Sequence, residues 1–391
     1  MSMNKPDSLS NLYITREQEL LLKASLLQGS GAIEAWEKWI SEINFDLIDP
    51  GSYRLIPLLY HNLSRHKIQH PLMNRMKGIY RRTWYENQIF SHQTLKLINI
   101  FHAEGINTIV LKGIALAHMY YQDYGLRPMS DIDILIPTSQ SLQALSILKS
   151  CGWKSAYKSP EKIINVIHSC DFTDPDELNH LDLHWHLYIE CCQADADLDV
   201  WDAAIETNIK GTKTHILNSA DQLLHTLVHG MKWSIIPPFR WVADAVTVLN
   251  ISHETMDWKR IISQAEKRRI VLPLRYGLEY LVNNFDVSVP QEVLKHIQSV
   301  PVTKSEQIEY KYKIENQKKK VLGNIPVLWF DSQRLNRNGS LRHKVINFIR
   351  YIQRFWDIES LWKMPSFIFN LTLNKFGFVT QQGNPQNSGK K

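Results

Sequence analysis

Apolar residues recur at helical spacing in the N-terminal quarter of the chain. Five of them share one face of a helix: Ile33, Trp36, Trp39, Ile40 and Ile43. Thr15-Arg-Glu-Gln18 has the form of a capping box, Asp49-Pro-Gly51 is typical of a turn, and a long helix is expected from about Leu72 to His102. Trp and Leu stripes of this kind belong to a core. Residues 1–104 are therefore predicted to form a helical cap without chemistry of its own.

Strand periodicity replaces helical spacing in the middle of the chain. The segment His180-Leu-Asp-Leu-His-Trp-His-Leu-Tyr188 alternates strictly between polar and apolar residues, so Asp182, His184 and His186 share one strand face. Further elements are predicted as a strand run from Ile106 to Gly113, a helix from Ile114 to Tyr121, and strands at Ile132–Ile136 and Ile163–Phe172. Residues 105–215 are therefore predicted to form an α/β core.

Helical spacing returns after a polar stretch at 195–214. Ser219 opens a predicted helix that ends at Gly230, and Arg240 opens another. A later apolar stripe consists of Val345, Phe348, Ile349, Ile352 and Phe355. Residues 216–378 are predicted to form a helical C-terminal domain, and the polar residues 379–391 a disordered tail.

Two acids stand at the head of the strand expected near Ile132. In Arg127-Pro-Met-Ser-Asp-Ile-Asp133, Asp131 and Asp133 point to one side of the strand, while Ile132 points into the core. Close carboxylates repel each other unless a cation lies between them, and hard divalent ions prefer oxygen ligands. The pair predicts a Mg²⁺ site. The alternative is two solvated acids on an edge strand.

A candidate phosphate site precedes the acids. The order of strand, Gly113 and helix places backbone N–H groups at a helix N-terminus, where phosphate binds readily. Lys112 lies at the strand end, and Arg127 and Ser130 lead into the acids. A phosphate cradle beside a metal pair favours phosphoryl or nucleotidyl transfer, whose transition state puts negative charge on oxygens.

The alternating strand supplies a third acid, Asp182. If this strand pairs beside the one that carries Asp131 and Asp133, the three carboxylates can hold two metal ions. Asp171 is the rival candidate. His184 and His186 share the face of Asp182, but imidazole suits zinc and copper better than magnesium, so our interpretation is that one of them binds acceptor or phosphate.

These motifs resemble the poorly characterised nucleotidyltransferases of the DNA polymerase beta superfamily. The matching pieces are Leu111-Lys112-Gly113, Arg127 to Asp133, and Leu181-Asp-Leu-His-Trp185, and the resemblance runs from about residue 50 to about residue 365. It implies an α/β (α+β) catalytic core with a small mixed sheet between helical segments, and a nucleoside triphosphate and Mg²⁺ as co-substrates. In the superfamily the first motif is commonly Gly-Ser or Gly-Gly. Ile114 follows here, so Lys112 and Arg127 are expected to carry more of the phosphate binding.

A later series, His229, Arg240 and Asp244, also resembles the pattern of this family. The resemblance implies that these residues border the nucleotide or the acceptor, and the alternative is a buried salt bridge between helices. His225 and His229 are spaced i and i+4 and could ligate zinc, but the glutamate of a metalloprotease is missing between them, so a core role is preferred.

Composition narrows the class of protein. The 391 residues are 44% hydrophobic and 21% charged, as in an ordinary globular protein with two or three domains. No apolar run reaches the length of a membrane span and no signal peptide is visible, so a cytoplasmic protein is expected. Cys151, Cys170, Cys191 and Cys192 lack Cys-x-x-Cys spacing and are expected to be free thiols.

Positive charge is concentrated late in the chain. Residues 304–354 contain twelve Lys or Arg against four acids, a net of +8 where the whole chain carries +6. Aromatic residues interleave this region. A solvated basic face, a membrane-surface helix within 340–370 and a nucleic-acid surface are the three interpretations.

The sequence thus leads to a functional hypothesis. A nucleotidyltransferase of the EC 2.7.7 type moves a nucleoside monophosphate from a triphosphate to an unknown acceptor, such as a small metabolite, a sugar phosphate or a protein hydroxyl. Asp131, Asp133 and Asp182 are the predicted catalytic and metal residues for two Mg²⁺ or Mn²⁺ ions, with Lys112, Gly113, Arg127 and Ser130 holding the triphosphate. The alternatives are a non-catalytic nucleotide sensor and a basic membrane or nucleic-acid adaptor.

Overall fold

A computed structural model describes residues 14–232, 239–314, 325–335 and 340–366. Within these ranges the helices are α1 (Arg16–Leu26), α2 (Gly29–Glu42), α3 (Pro50–Tyr53), α4 (Ile56–Arg65), α5 (Met73–Ala103), α6 (Lys112–Leu116), α7 (Ser141–Ser150), α8 (Leu198–Asp202), α9 (Ser219–Gly230), α10 (Arg240–Ser252), α11 (Trp258–Arg268), α12 (Val271–Asn284), α13 (Gln291–Ser299), α14 (Lys304–Ile314), α15 (Ile325–Leu335) and α16 (Leu341–Phe355). The strands are β1 (Ile109–Val110), β2 (Ile132–Leu135), β3 (Lys154–Ser155), β4 (Ser169–Thr173), β5 (His180–His184), β6 (Ile205–Ile209) and β7 (Thr212–Ile216). The predicted α/β class with flanking helices and mixed strand pairing is confirmed.

The described residues fall into two compact units. The first comprises the described parts of 1–98, 109–130 and 202–324, and the second those of 99–108, 131–201 and 325–391. The predicted domain boundaries were drawn as continuous ranges of sequence and stay predictions. The predicted tail at 379–391 lies outside the described residues.

Local signals explain how the helices of the first unit begin. The capping box at Thr15 is confirmed, because its hydroxyl accepts a hydrogen bond from the Gln18 amide at 3.2 Å and the Gln18 side chain accepts one from the Thr15 amide at 3.1 Å. The predicted turn after Asp49 is instead the short helix α3, because the Asp49 carboxylate caps the Gly51 and Ser52 amides.

Three strands of the first unit pair in the order β1-β7-β6. β1 pairs with β7 in parallel, and β6 and β7 form an antiparallel hairpin. Its turn is Lys210-Gly211, where both residues have positive φ, 49° and 92°. The sequence predicts only a polar connection at 195–214, so this hairpin corrects that prediction.

The second unit contains four strands in the order β3-β4-β5-β2. β2 and β5 pair in parallel, whereas β4 is antiparallel to both β3 and β5. Leu181 and Leu183 of β5 are fully buried, as the alternation predicts. One face of β5 therefore packs into the core, and the other face is left for polar side chains.

The strand predicted from His180 to Tyr188 is too long. β5 ends at His184, because the amides of Trp185 and His186 both donate to the His168 carbonyl, at 2.9 and 3.1 Å, and the chain bends out of the sheet. The strand predicted from Ile163 is likewise shorter, since β4 begins at Ser169.

The described helices and the cysteines bear on two further predictions, membrane spans and disulfides. None of the helices in the described ranges is long and apolar enough to cross a lipid bilayer. All four cysteines are free thiols, as predicted.

Candidate metal and nucleotide site

The strand register of the second unit brings three acids into one row. Asp133 of β2 lies opposite Asp182 of β5, and Asp182 lies opposite Asp171 of β4. Because paired residues in adjacent strands point to the same face, their side chains share one side of the sheet. Asp133 is buried, Asp182 is half-buried and Asp171 is exposed. The buried end of the row is therefore the pair Asp133 and Asp182.

His184 lies against both of these acids. Its Nε2 is 2.8 Å from Asp182 Oδ2 and 3.6 Å from Asp133 Oδ1, and its side chain is only 1% exposed. The ring of His168 packs edge-on against that of His184, with 5.3 Å between the ring centroids. This contact holds the imidazole in place beside the carboxylates.

These three side chains have the spacing of metal ligands. One ligand atom from each of Asp133, Asp182 and His184 lies within 4.8 Å of the other two, and no other His, Cys, Asp or Glu group in the described ranges does the same. Two carboxylate oxygens and one imidazole nitrogen suit Mn²⁺ or Zn²⁺ as well as Mg²⁺. The donor set thus fits a divalent cation.

Two residues that share this sequence motif lie outside the ligand group. Asp131 is exposed and precedes the first residue of β2. His186 was expected on the face of Asp182, but after the bend its Nδ1 is 3.2 Å from Asp197 Oδ2 in a buried pair. The structure separates His186 from Asp182, because strand alternation stops at His184.

The predicted phosphate residues belong to the first unit. Lys112 is half-buried and has a positive φ of 43°, which is uncommon for a residue other than glycine. Such strain costs about 1–3 kcal/mol and clusters at binding sites. Gly113 is buried, and a Cβ built on it would lie 3.2 Å from Met129 Sδ and 3.5 Å from Arg127 Nη1. A larger residue after Lys112 would therefore have to displace the Met129 side chain by a few tenths of an ångström.

Arg127 and Asp244 form a buried ion pair. The Arg127 Nε donates to Asp244 Oδ1 at 2.8 Å, and its Nη2 donates to Oδ2 at 3.0 Å. The Tyr121 hydroxyl also donates to Asp244 Oδ1 at 2.9 Å, and burial together with the Asp244 charge raises the pKa of this tyrosine. Of the two interpretations of Asp244, the geometry shows the buried salt bridge.

Arg240 and His229 lie on neighbouring helices of the same unit. Arg240 Nη1 donates to the Pro128 carbonyl at 2.7 Å, next to Arg127 in the chain. His229 is exposed on α9, and its ring stacks on that of buried His225 with 5.9 Å between centroids. Within the described ranges no third ligand joins the two histidines in a metal group.

Asn87 is a residue that sequence reasoning missed. Its Nδ2 donates to the carbonyls of Tyr124, at 2.6 Å, and Arg127, at 2.8 Å, and its Oδ1 accepts from the Met129 amide at 3.2 Å. The side chain is 1% exposed and braces the loop that carries Arg127. The sequence does carry a signal, because four polar residues recur at helical spacing in α5: Thr83, Asn87, Ser91 and Thr94. All four are buried in the structure.

Comparisons with known proteins identify the family of this chain. Residues 52–286 match the family described as "uncharacterised nucleotidyltransferase". The crystal structure of an antigenic nucleotidyltransferase-like protein from Paracoccidioides brasiliensis is similar at 12% sequence identity and a TM-score of 0.33, over 53% of this chain and 96% of that chain. No curated protein matches the sequence significantly. The family match spans more than half of the chain and includes every predicted site residue. The chain therefore belongs to the uncharacterised nucleotidyltransferase family.

Proposed function

We propose that this protein transfers a nucleoside monophosphate from a nucleoside triphosphate to an acceptor. The α-phosphorus forms a bond to the acceptor oxygen, its bond to the β-bridging oxygen breaks, and pyrophosphate leaves. The observation that carries the proposal is the register of Asp133 opposite Asp182, with His184 beside both, in a member of a nucleotidyltransferase family. Buried carboxylates in such a pair are costly to fold unless a cation compensates their charge.

The acidic residues have distinct proposed roles. Asp133, Asp182 and His184 would hold the divalent ion, and exposed Asp131 would contribute oxygens to a second one. Bound Mg²⁺ or Mn²⁺ would offset the charge of the triphosphate and make the acceptor hydroxyl more acidic. Asp182 is half-buried, so we assign to it the contact with the acceptor and the removal of its proton.

The triphosphate is assigned to residues of the Lys112 and Arg127 segments. The Lys112 ammonium supplies a cation, and its left-handed backbone turns the Gly113 amide away from ordinary helical geometry. Arg127 donates through Nε and Nη2 to Asp244, so its proposed role is to fix the loop that leads to Ser130. Ser130 is exposed and supplies a hydroxyl.

Calorimetry with each of the four ribonucleoside triphosphates, with and without Mg²⁺, tests the proposal. We expect one triphosphate to bind only with Mg²⁺, and Asp133→Asn to lose this binding. Asp171→Asn is the matched control, because Asp171 lies in the same row of acids but is exposed and outside the ligand group. Equal loss in the two variants would refute the assignment of the metal to Asp133.

Release of pyrophosphate then separates enzyme from sensor. Incubation with the bound triphosphate and candidate acceptors of three kinds, a sugar phosphate, a small polyol and a protein with exposed hydroxyls, should release pyrophosphate with one of them. Mass spectrometry of the acceptor and of the protein itself would locate the nucleotide. Binding that never yields pyrophosphate would instead support the nucleotide-sensor alternative.

A further inference from the structure

Helix α16 carries positive charge without any acid. Its fifteen residues include Arg342, Lys344, Arg350 and Arg354, and neither Asp nor Glu. A helix of this composition, apolar on part of its surface and cationic elsewhere, is typical of helices that lie in a membrane interface. The sequence alone also allows a solvated basic face. The burial of each side of α16 decides between this interpretation and a membrane-surface helix.

Only a narrow side of α16 is buried within the second unit. Tyr351 and Ile352 are 4% and 7% exposed, and Phe348 packs edge-on against Trp329 of α15 with 5.0 Å between ring centroids. Several apolar residues of the same helix face outward instead: Leu341 (72% exposed), Val345 (41%), Ile346 (39%) and Ile349 (38%). A packed helix with a merely solvated face would not expose a continuous aliphatic strip.

The exposed aliphatic strip and the arginines occupy the same side of the helix. Arg342, Ile346 and Arg350 follow one another at intervals of four, beside the row formed by Leu341, Val345 and Ile349. Both arginines are exposed. Long cationic side chains that extend from beside an apolar strip can reach the headgroups of a lipid leaflet while the strip enters the acyl boundary.

The turn after α16 adds an exposed aromatic side chain. Trp362 is 94% exposed in the short 3₁₀ turn Leu361–Lys363, and tryptophan is enriched at membrane interfaces. The nearby acid Glu359 does not offset the charge of α16, because Lys363 lies 2.5 Å from it and Lys158 lies 3.7 Å from it. The cations of α16 thus keep their attraction for an anionic partner.

We propose that α16 and the Leu361–Lys363 turn bind the surface of an anionic phospholipid membrane. Charge complementarity favours this occupant over a second copy of the chain, since two acid-free basic helices repel each other. It is favoured over nucleic acid because the outward residues of α16 are aliphatic, whereas single strands stack on aromatic rings.

Flotation of the full-length protein with vesicles provides the test. One set is phosphatidylcholine alone, and the other contains about one-third phosphatidylglycerol. We expect binding to the anionic vesicles only, weakened by salt. The variant Arg342→Gln, Arg350→Gln should bind about thirtyfold more weakly, as expected for two basic residues at a membrane surface. The matched control Lys259→Gln, Lys295→Gln removes two exposed charges from α11 and α13 and should bind as the parent does.

The apolar contribution has its own variant. Ile349→Ser with Trp362→Ala should weaken vesicle binding while its dependence on salt persists, because the arginines remain. Melting temperatures of all variants should match that of the parent, since the replaced side chains are exposed. Absence of binding to anionic vesicles, or equal loss in the lysine control, would overturn the proposal. So would loss of single-stranded RNA binding in the arginine variant without any vesicle binding.

Discussion

Replacing Asp244 by Asn provides the sharpest test of how the first unit is built. The Arg127 and Asp244 side chains are each 7% exposed, so the substitution leaves a guanidinium buried without its counter-charge. The Asn Oδ1 can still accept from Arg127 Nε. Its Nδ2, however, would face Arg127 Nη2 at the position where Oδ2 now accepts at 3.0 Å, and two donors cannot bond each other.

The expected magnitude follows from these contacts. Breaking one partner of a buried ion pair costs about 3–5 kcal/mol, and the retained contact to Oδ1 places Asp244→Asn at the lower end, about 3 kcal/mol. For a unit of this size each kcal/mol lowers Tm by about 2–4 °C, so Tm should fall by about 6–12 °C. Thermal unfolding followed by circular dichroism, with urea unfolding beside it, measures the loss.

A double variant shows whether the loss comes from the stranded charge. Arg127→Met with Asp244→Leu removes both charges and should recover most of the stability, since apolar replacement of a buried pair is often neutral. The control Glu206→Gln, from an exposed pair with Lys213 at 3.8 Å, should change little. A loss below about 1 kcal/mol in Asp244→Asn, or a double variant as unstable as the single one, would refute this reasoning.

Three further predictions concern the loop, the backbone and the thiols. Asn87→Ala leaves the carbonyls of Tyr124 and Arg127 without their donor and should cost about 2–4 kcal/mol in urea unfolding, whereas Asn99→Ala, at an exposed position of the same helix, should not. Lys112→Gly removes the strain of φ 43° and should leave stability within about 1 kcal/mol while triphosphate affinity, measured by calorimetry, falls. At pH 8 iodoacetamide should label only the exposed Cys151 in the native protein. Burial raises the pKa of Cys170 to about 12, so its thiol stays neutral at the pH of the assay. Mass spectrometry should find label on the three buried thiols only in denaturant; native labelling of Cys170 would contradict its burial.

Local patterns in the sequence were enough for the elements that carry the acids. Alternation alone places Asp182 and His184 on one face of β5, and the predicted helix at Ser219–Gly230 is found with those bounds. These signals depend on neighbours two to four positions apart, which a sequence displays directly. The proximity of Asp133 to Asp182 also depends on the pairing of β2 with β5, which alternation within one strand does not reveal.

The features that the sequence did not predict depend on contacts between residues that are far apart in the chain. The end of β5 is set by the His168 carbonyl, which captures the amides of Trp185 and His186, and nothing in the alternating segment records that acceptor. The ion pair of Arg127 joins it to Asp244, 117 positions away, and spacing in the sequence did not show that these two side chains meet. Sequence spacing cannot distinguish an arginine that binds an external anion from one that binds an internal carboxylate.

The two charged clusters of this protein differ in the counter-charge that lies beside them. Arg127 and Asp244 compensate each other permanently, since guanidinium stays charged at any physiological pH, and such a pair has no electrostatic need for a ligand. Asp133 and Asp182 have beside them His184, an imidazole that is cationic only when protonated. The two carboxylates carry up to two negative charges and the imidazole at most one positive charge, whereas a divalent ion would balance both carboxylates and take an imidazole nitrogen as a ligand. Of the two clusters, the row of acids is therefore the one whose charges favour an external cation.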